Sequence, residues 1–391
     1  MQQLNIETQI VEAIQSVTGV QSVPLHEPHF SGNEWGYLKE CLDSTFVSSV
    51  GKYVDKFERD LEKFLNAKRA VAVVNGTSAL HIALKLAGVA EGEEVLIPTL
   101  TFVATANAVA YCNAIPHFVD SEISSLGIDA EKLRKYLTDI SDLTSGVCVN
   151  RKTGRTIKAI VIVHIFGHAS DLDELLLIAK DFKLKVIEDA AESLGTTFRG
   201  RHTGTFGLLG VMSFNGNKIV TTGGGGAIVT DDEDLGRLAK HLTTTAKLQH
   251  TWEFRHDLIG YNYRMPNINA AIGCAQLENI TKFVDAKRAL FKRYQNAFTG
   301  LNGVTLMNEP QNCRSNFWLQ TIKLDSSFAD RRDSILQATN AANIMTRPCW
   351  VPMHRLEPYK ICPRMDLSTA DSLYATLINI PSSANLALNQ Q

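Results

Sequence analysis

A chain of 391 residues with 45% hydrophobic content can bury a large core and is long enough for two units. Its 39 basic and 41 acidic residues leave a formal charge of -2 without a Lys/Arg block, which argues against nucleic acid as the main partner. Seven scattered cysteines lacking a C-x-x-C pair, and no apolar run of bilayer length, argue against a disulfide framework, a zinc knuckle, any metal constellation and a membrane span, and fit a reducing cytoplasm.

In chain order, IETQIVEAIQSV within residues 1–22 reads as an amphipathic helix placed ahead of the core, with no chemistry attached to it. From 70 to 230 short apolar runs alternate with amphipathic segments. The runs are AVAVV, EVLIP, IPHFVD, IKAIVIVHI, LKVIED, VMSFN and GAIVT; SALHIALKLAG, TFVATANAVAY and DLDELLLIAKDF have helical spacing. Strands apolar throughout predict an α/β fold whose sheet is mostly parallel and covered on both faces. In such sheets ligands gather at the carboxyl ends of strands, so those ends are where function is sought.

The first such end is Asn75-Gly76-Thr77-Ser78, ahead of a helix. Gly76 permits a tight turn, and Thr77 and Ser78 offer N–H groups and hydroxyls to an anion at a helix start; an ordinary N-cap reads the same way. His164 and His168, in VIVHIFGHASDLDE, lie near another strand end, where a packed histidine is commoner than a catalytic one. Asp189 closes LKVIED and is followed by the small Ala190 and Ala191. A buried carboxylate needs a cation or donors, which a protonated ring nitrogen supplies, although Asp189 as a helix cap fits equally well. Next comes SFNGNKIVTTGGGG, in which Lys218 stands alone among short side chains after a further strand. A lysine amine forms a Schiff base with an aldehyde cofactor, and a pyridoxal phosphate site needs that lysine, an Asp for the ring nitrogen and a phosphate cradle. All three are present, in the order cradle, Asp, Lys. Ser213 adds a hydroxyl to the cradle, and Gly223 to Gly226 let backbone pass close by, although a glycine run is also a plain turn. From about Asn267 a long helical stretch, NINAAIGCAQLENITKFVDAKRALFKRYQNAF, and mixed short elements predict a smaller second unit.

The segments NGTSALHIAL, PTLTFVATANAV, EDAAESLG, SFNGNKIVTTGGGG and GYNYRMPNINAAIGCAQLE together resemble, in order, the sugar aminotransferases of the DegT/DnrJ/EryC1/StrS family. The resemblance implies the aspartate aminotransferase fold, fold type I of pyridoxal phosphate enzymes, with a mostly parallel central sheet and a smaller C-terminal α+β domain. The expected division is 1–22 as a helical extension, 23–265 as the cofactor-binding domain and 266–391 as the small domain. PLHEPHFSGNEWGYLKECLDSTFVSSVGKYVDKFE and TRPCWVPMH further resemble the LegC-type branch.

By resemblance, Lys218 carries the cofactor and moves the proton, and Asp189 pairs with the pyridine nitrogen. Phe102 stacks on the ring, Glu192 approaches the phenolic oxygen in protonated or rotated form, and Gly76, Thr77 and Ser213 hold the phosphate. Asn262 reaches the neighbouring subunit's phosphate in a homodimer, and Arg347 and His354 are candidates for substrate contact. The implied reaction transfers the amine of L-glutamate to a nucleotide-linked 4-keto-6-deoxy sugar, expected to be UDP-2-acetamido-2,6-dideoxy-hexos-4-ulose, for surface polysaccharide or nonulosonic acid precursors. The alternative is GDP-4-keto-6-deoxymannose, as in a perosamine synthase. A same-fold dehydratase carries His at the lysine position, a non-catalytic sensor predicts missing cofactor residues, and a dinucleotide oxidoreductase needs a G-x-G-x-x-G that NGTSAL lacks.

Overall fold

All seven apolar runs become strands of one sheet: β1 (Arg69–Val73), β2 (Glu94–Pro98), β3 (Ile115–Val119), β4 (Ile157–Val163), β5 (Lys185–Asp189), β6 (Leu209–Ser213) and β7 (Gly226–Thr230). The computed structural model describes residues 5–144 and 146–388; the first four residues of the expected N-terminal extension lie outside them. The strand order is β1-β7-β6-β5-β4-β2-β3. β7 pairs antiparallel with both β1 and β6, and every other pairing is parallel. The fold is thus α/β with a mostly parallel central sheet. Val, Ile and Ala dominate because helices cover both faces: β2 and β7 are buried at every position.

The parallel direction brings the carboxyl ends of β1, β2, β4, β5 and β6 to one edge, and β7 presents its first residue there. Gly226 faces both Val73 and Ser213 in register. A Cβ on Gly226 would stand 2.5 Å from the backbone carbon of Asn75, so only glycine lets β7 pass so close to the start of the next helix. That helix, Gly76–Leu86, is capped by Asn75, whose Oδ1 accepts the Ser78 N–H at 2.8 Å.

A second sheet comprises β8 (Val304–Leu306), β9 (Gln320–Leu324), β10 (Arg347–Pro348) and β11 (Leu377–Ile380), in the order β8-β9-β11-β10 and antiparallel throughout. The stretch read as one long helix is two, Asn267–Glu278 and Ile280–Phe298, because Asn279 at φ -105°, ψ 2° leaves the helical region. The helix Ile6–Thr18 starts where Asn5 Oδ1 accepts the Thr8 N–H at 3.0 Å. It buries Ile10, Ile14 and Val17 in a core with Leu290, Tyr294, Ile322 and Ile378, and Arg331 pairs with its Glu7 at 2.7 Å.

Beneath the site edge, the fully buried Glu188 of β5 organises the loop from 203 to 208. One oxygen accepts the N–H groups of Phe206 (2.6 Å) and Gly207 (2.7 Å); the other accepts that of Gly204 at 2.8 Å. His164 completes the set at 3.0 Å. Because its Nδ1 accepts the Ser170 N–H, its Nε2 carries the proton toward Glu188. Glu188→Ala strands three backbone donors and an imidazole in the interior, so urea unfolding is expected to show a loss of about 3 kcal/mol, whereas a loss under 1 kcal/mol would mean that water replaces the carboxylate.

Candidate active site

The strand ends enclose a cavity of about 360 Å³ lined by Asn75, Gly76, Thr77, Thr101, Phe102, Asp189, Glu192, Ser213, Lys218, Trp318 and Trp350, among others. Its size lies in the range typical of small-molecule sites. A larger concavity of about 590 Å³, beside Glu40, Phe46, Lys52 and Tyr53, lies away from the strand ends that gather Lys218 and Asp189.

Gly76 and Thr77 sit at the first helical turn, where backbone N–H groups have no intrahelical acceptor. Ser213, the last residue of β6, faces them: a Cβ on Gly76 would stand 3.0 Å from Ser213 Cβ and 3.4 Å from its Oγ. The missing side chain therefore leaves a concave mouth of N–H and O–H donors at the positive end of a helix. Ser78 does not join it. Its N–H is used by the Asn75 cap, and the residue is buried behind the turn.

Asp189 is 5% exposed. Oδ2 accepts the hydroxyl of Thr105 at 2.8 Å and Oδ1 accepts the Ala191 N–H at 3.2 Å. Burial raises its pKa, and the hydrogen bonds from Thr105 and Ala191 and the charge of Lys218 oppose the rise only in part. A carboxylate facing a cavity with two neutral donors is the form a cationic ring nitrogen completes.

Lys218 follows β6 after the four residues 214–217, and its side chain is 12% exposed. The amine lies 3.2 Å from Glu192 Oε1 and 3.7 Å from the centre of the Trp318 ring. Glu192 Oε2 accepts the N–H of Phe166 at 2.9 Å. That N–H points inward because Phe166 adopts a left-handed conformation (φ 53°, ψ 17°), unusual for a bulky residue and typical of functional turns. Burial raises the Glu192 pKa and the charge of Lys218 draws it back, so the shift runs toward a protonated acid. Phe102 is 53% exposed at the cavity mouth, its ring 6.4 Å from Trp350.

The cavity thus assembles Gly76, Thr77, Phe102, Asp189, Glu192, Ser213 and Lys218. Arg347 and His354 do not line it: Arg347 is exposed on β10, and His354 bonds Thr99 Oγ1 at 2.8 Å and approaches Asp371 at 3.4 Å. From the same TRPCWVPMH segment it is Trp350 that enters the wall. Asn262 is exposed outside its own chain's cavity, accepting from Arg264 at 3.2 Å. His164 serves Glu188, and burial brings His168, edge-on to Phe317 at 5.5 Å, down to a pKa of about 4. Sequence reasoning missed Thr105, Trp318 and Trp350. Thr105 had a signal, since it stands one turn into the helix after Phe102; the two tryptophans come from distant segments and had none.

Pyridoxal phosphate brings an anionic phosphate, a basic ring nitrogen and an aldehyde. The glycine-cleared cradle, the under-satisfied Asp189 and the cavity-facing Lys218 amine match the three.

Comparison with known proteins agrees. The family model described as the DegT/DnrJ/EryC1/StrS aminotransferase family matches residues 29–391. The chain is 38% identical to a GDP-perosamine synthase of Caulobacter vibrioides, over 92% of each chain. It is 36% identical to a GDP-perosamine synthase of Vibrio cholerae, over 94% of this chain and 96% of that one. In structure it superposes on Helicobacter pylori PseC, described as an aminotransferase involved in the biosynthesis of pseudoaminic acid, with a TM-score of 0.85 and 25% identity over 94% and 96% of the two chains.

A carboxyl whose proton is held more tightly in the folded than in the unfolded chain adds stability below its ordinary range, and that contribution is lost as pH rises through the folded value. Asp189 and Glu192 are both raised in this way. The thermal midpoint of the cofactor-free protein is therefore expected to decline as pH climbs above about 4, the ordinary carboxylate value. In cofactor-free Asp189→Asn the decline becomes shallower. Equal slopes for variant and parent, in scanning calorimetry across that range, count against the assignment.

Proposed function

The chain is a member of the DegT/DnrJ/EryC1/StrS aminotransferase family, and on that premise we propose that it transfers the amino group of L-glutamate to C4 of GDP-4-keto-6-deoxymannose, as a perosamine synthase does. It is a pyridoxal phosphate-dependent aminotransferase. The nucleotide is the point on which the sequence reading changes. UDP-2-acetamido-2,6-dideoxy-hexos-4-ulose was the expected acceptor, but three relatives at 36–38% identity bear the name of the GDP-sugar enzyme, whereas a relative named for a UDP-sugar 3-aminotransferase is 29% identical. The LegC-type reading has no such support.

The observation that carries the chemistry is the meeting of Lys218, Asp189 and the Gly76–Thr77–Ser213 cradle in one cavity. Bound there, pyridoxal phosphate supplies an electron sink for the pair left behind when a proton leaves the carbon bearing the amine. Lys218 would hold the cofactor through its unprotonated Nζ and would carry that proton. The Asp189 carboxylate keeps the ring nitrogen protonated, which gives the sink its strength. Gly76, Thr77 and Ser213 fix the phosphate through helix-terminal N–H groups and a hydroxyl. Phe102 covers the ring at the cavity mouth. Glu192 holds the amine of Lys218 through an oxygen whose affinity for a proton is raised by burial.

The reading includes a homodimer in which Asn262, exposed and outside its own cavity, serves the phosphate of the second copy. Residues 23–265 then form the cofactor unit and 266–391 the smaller one, which lends Trp318 and Trp350, with 1–22 ahead of both. The seven free cysteines fit a cytoplasmic setting, and among the described residues no helix is long and apolar enough to cross a membrane.

Borohydride reduction followed by peptide mapping is expected to fix the label on Lys218, and Lys218→Ala is expected to lower transamination by more than about a thousandfold. Turnover of Lys218→Ala near the parent rate refutes the mechanism. For the acceptor, enzyme converted to its amine form by glutamate is mixed with GDP-4-keto-6-deoxymannose or with the UDP-linked acetamido sugar. The GDP sugar is expected to restore the aldehyde form at least about tenfold faster, equivalent to about 1.4 kcal/mol of discrimination. The reverse order returns the assignment to the UDP sugar.

A further inference from the structure

Trp318 is held with more care than wall-filling requires. Its backbone N–H donates to Asn316 Oδ1 at 2.8 Å, its indole N–H to the backbone oxygen of Asn217 at 2.7 Å, and its own carbonyl accepts from the buried Lys287 at 3.1 Å. Asn217 immediately precedes Lys218, so the indole is pinned to the same stretch of backbone that carries the amine. Asn316 donates to the backbone oxygens of Glu192 and Leu194, both at 2.9 Å. One short chain of hydrogen bonds therefore fixes the backbone of Glu192 and the face of Trp318 relative to each other, the Phe166 N–H holds the Glu192 carboxyl, and the amine of Lys218 rests against both, 3.2 Å from the oxygen and 3.7 Å from the ring centre.

We propose that Trp318 is a positioning residue for Lys218: its indole face and Glu192 form a berth that holds the amine when it is not joined to the cofactor aldehyde and steadies the ammonium it becomes between its two proton transfers. This rests on the transamination reading above. When the amino donor displaces Lys218 from the aldehyde carbon, the freed Nζ takes the proton that leaves the donor's Cα and returns the same proton to the carbon that bore the aldehyde. Between those two transfers a positive charge exists at Nζ in a site nearly closed to water. The negative face of an indole attracts that charge yet offers no lone pair basic enough to take the proton. Glu192 supplies the compensating oxygen on the other side. The pinning to Asn217 then ensures that the berth and the lysine backbone keep a constant separation, so the swing of the amine between its two stations is repeatable.

The test compares parent, Trp318→Leu and Trp318→Phe as cofactor-loaded enzymes. Rapid mixing with L-glutamate, or with glutamate deuterated at Cα, is followed by the absorbance of the bound cofactor, and borohydride trapping measures attachment at Lys218. In Trp318→Leu the label is expected to stay on Lys218 while the half-reaction slows by about tenfold and its deuterium isotope effect grows, because proton transfer has become the slower step. Trp318→Phe keeps a ring and is expected to stay within about threefold of the parent with the parental isotope effect. If Trp318→Leu melts well below the parent, Trp318→Met, long and ringless, takes its place. A ringless variant with an intact label and an unchanged rate and isotope effect overturns the proposal, as does an equal loss in the Leu and Phe variants. A parent enzyme that shows no label at Lys218 instead brings down the transamination reading itself.

Discussion

A carboxylate withdrawn from water at the end of a central strand, with one hydroxyl and one amide N–H for company, is the constraint around which this molecule is arranged. Burial pushes the pKa of Asp189 upward, and the bonds from Thr105 and Ala191 and the charge of Lys218 offset that push only in part. Evolution has many cheaper ways to end a strand. A cation entering the cavity favours the charged form of Asp189, which ties ligand binding to local electrostatics. The neighbouring parts follow: β4 and β6 flank β5 in parallel, so their own ends arrive beside the carboxylate, and the antiparallel β7 sends a glycine rather than a side chain to the same edge.

Much of this is written in local sequence. Continuous apolar runs mark strands covered on both faces, and all seven became strands of the sheet because no polar face had to be spared for solvent. Lys218 and Asp189 were legible because each is a chemically costly residue placed directly after such a run. Short-range chemistry also misled in one place: Asn75 and Ser78 can each serve the start of the same helix, and only the structure shows that Asn75 takes the Ser78 N–H for its cap, leaving Gly76 and Thr77 at the mouth. The break at Asn279 was equally invisible, since apolar spacing continues across it while the backbone does not.

What the sequence withheld is what comes from far away. Trp318 and Trp350 lie in segments whose spacing carries no period shared with the cavity, and their rings reach it only after the second sheet has been placed. The left-handed turn at Phe166 is hidden for a different reason: a bulky residue gives no warning of that conformation, which is tolerated because surrounding bonds, including the N–H to Glu192, over-determine it.

The burial of the helix Ile6–Thr18 among Leu290, Tyr294, Ile322 and Ile378 has a consequence for how the polypeptide matures as it is made. That helix finds its resting place only on residues synthesised some three hundred positions after it, and the catalytic chamber gains its tryptophan walls in the same later interval. The central sheet is able to pair during translation, but its chamber stays open on one side until the carboxyl-terminal strands emerge. Vitamin capture thereby waits on the segments that carry Trp318 and Trp350, and a chain broken off before them would expose both an orphaned amphipathic helix and a half-built pocket to the quality-control machinery of the cell.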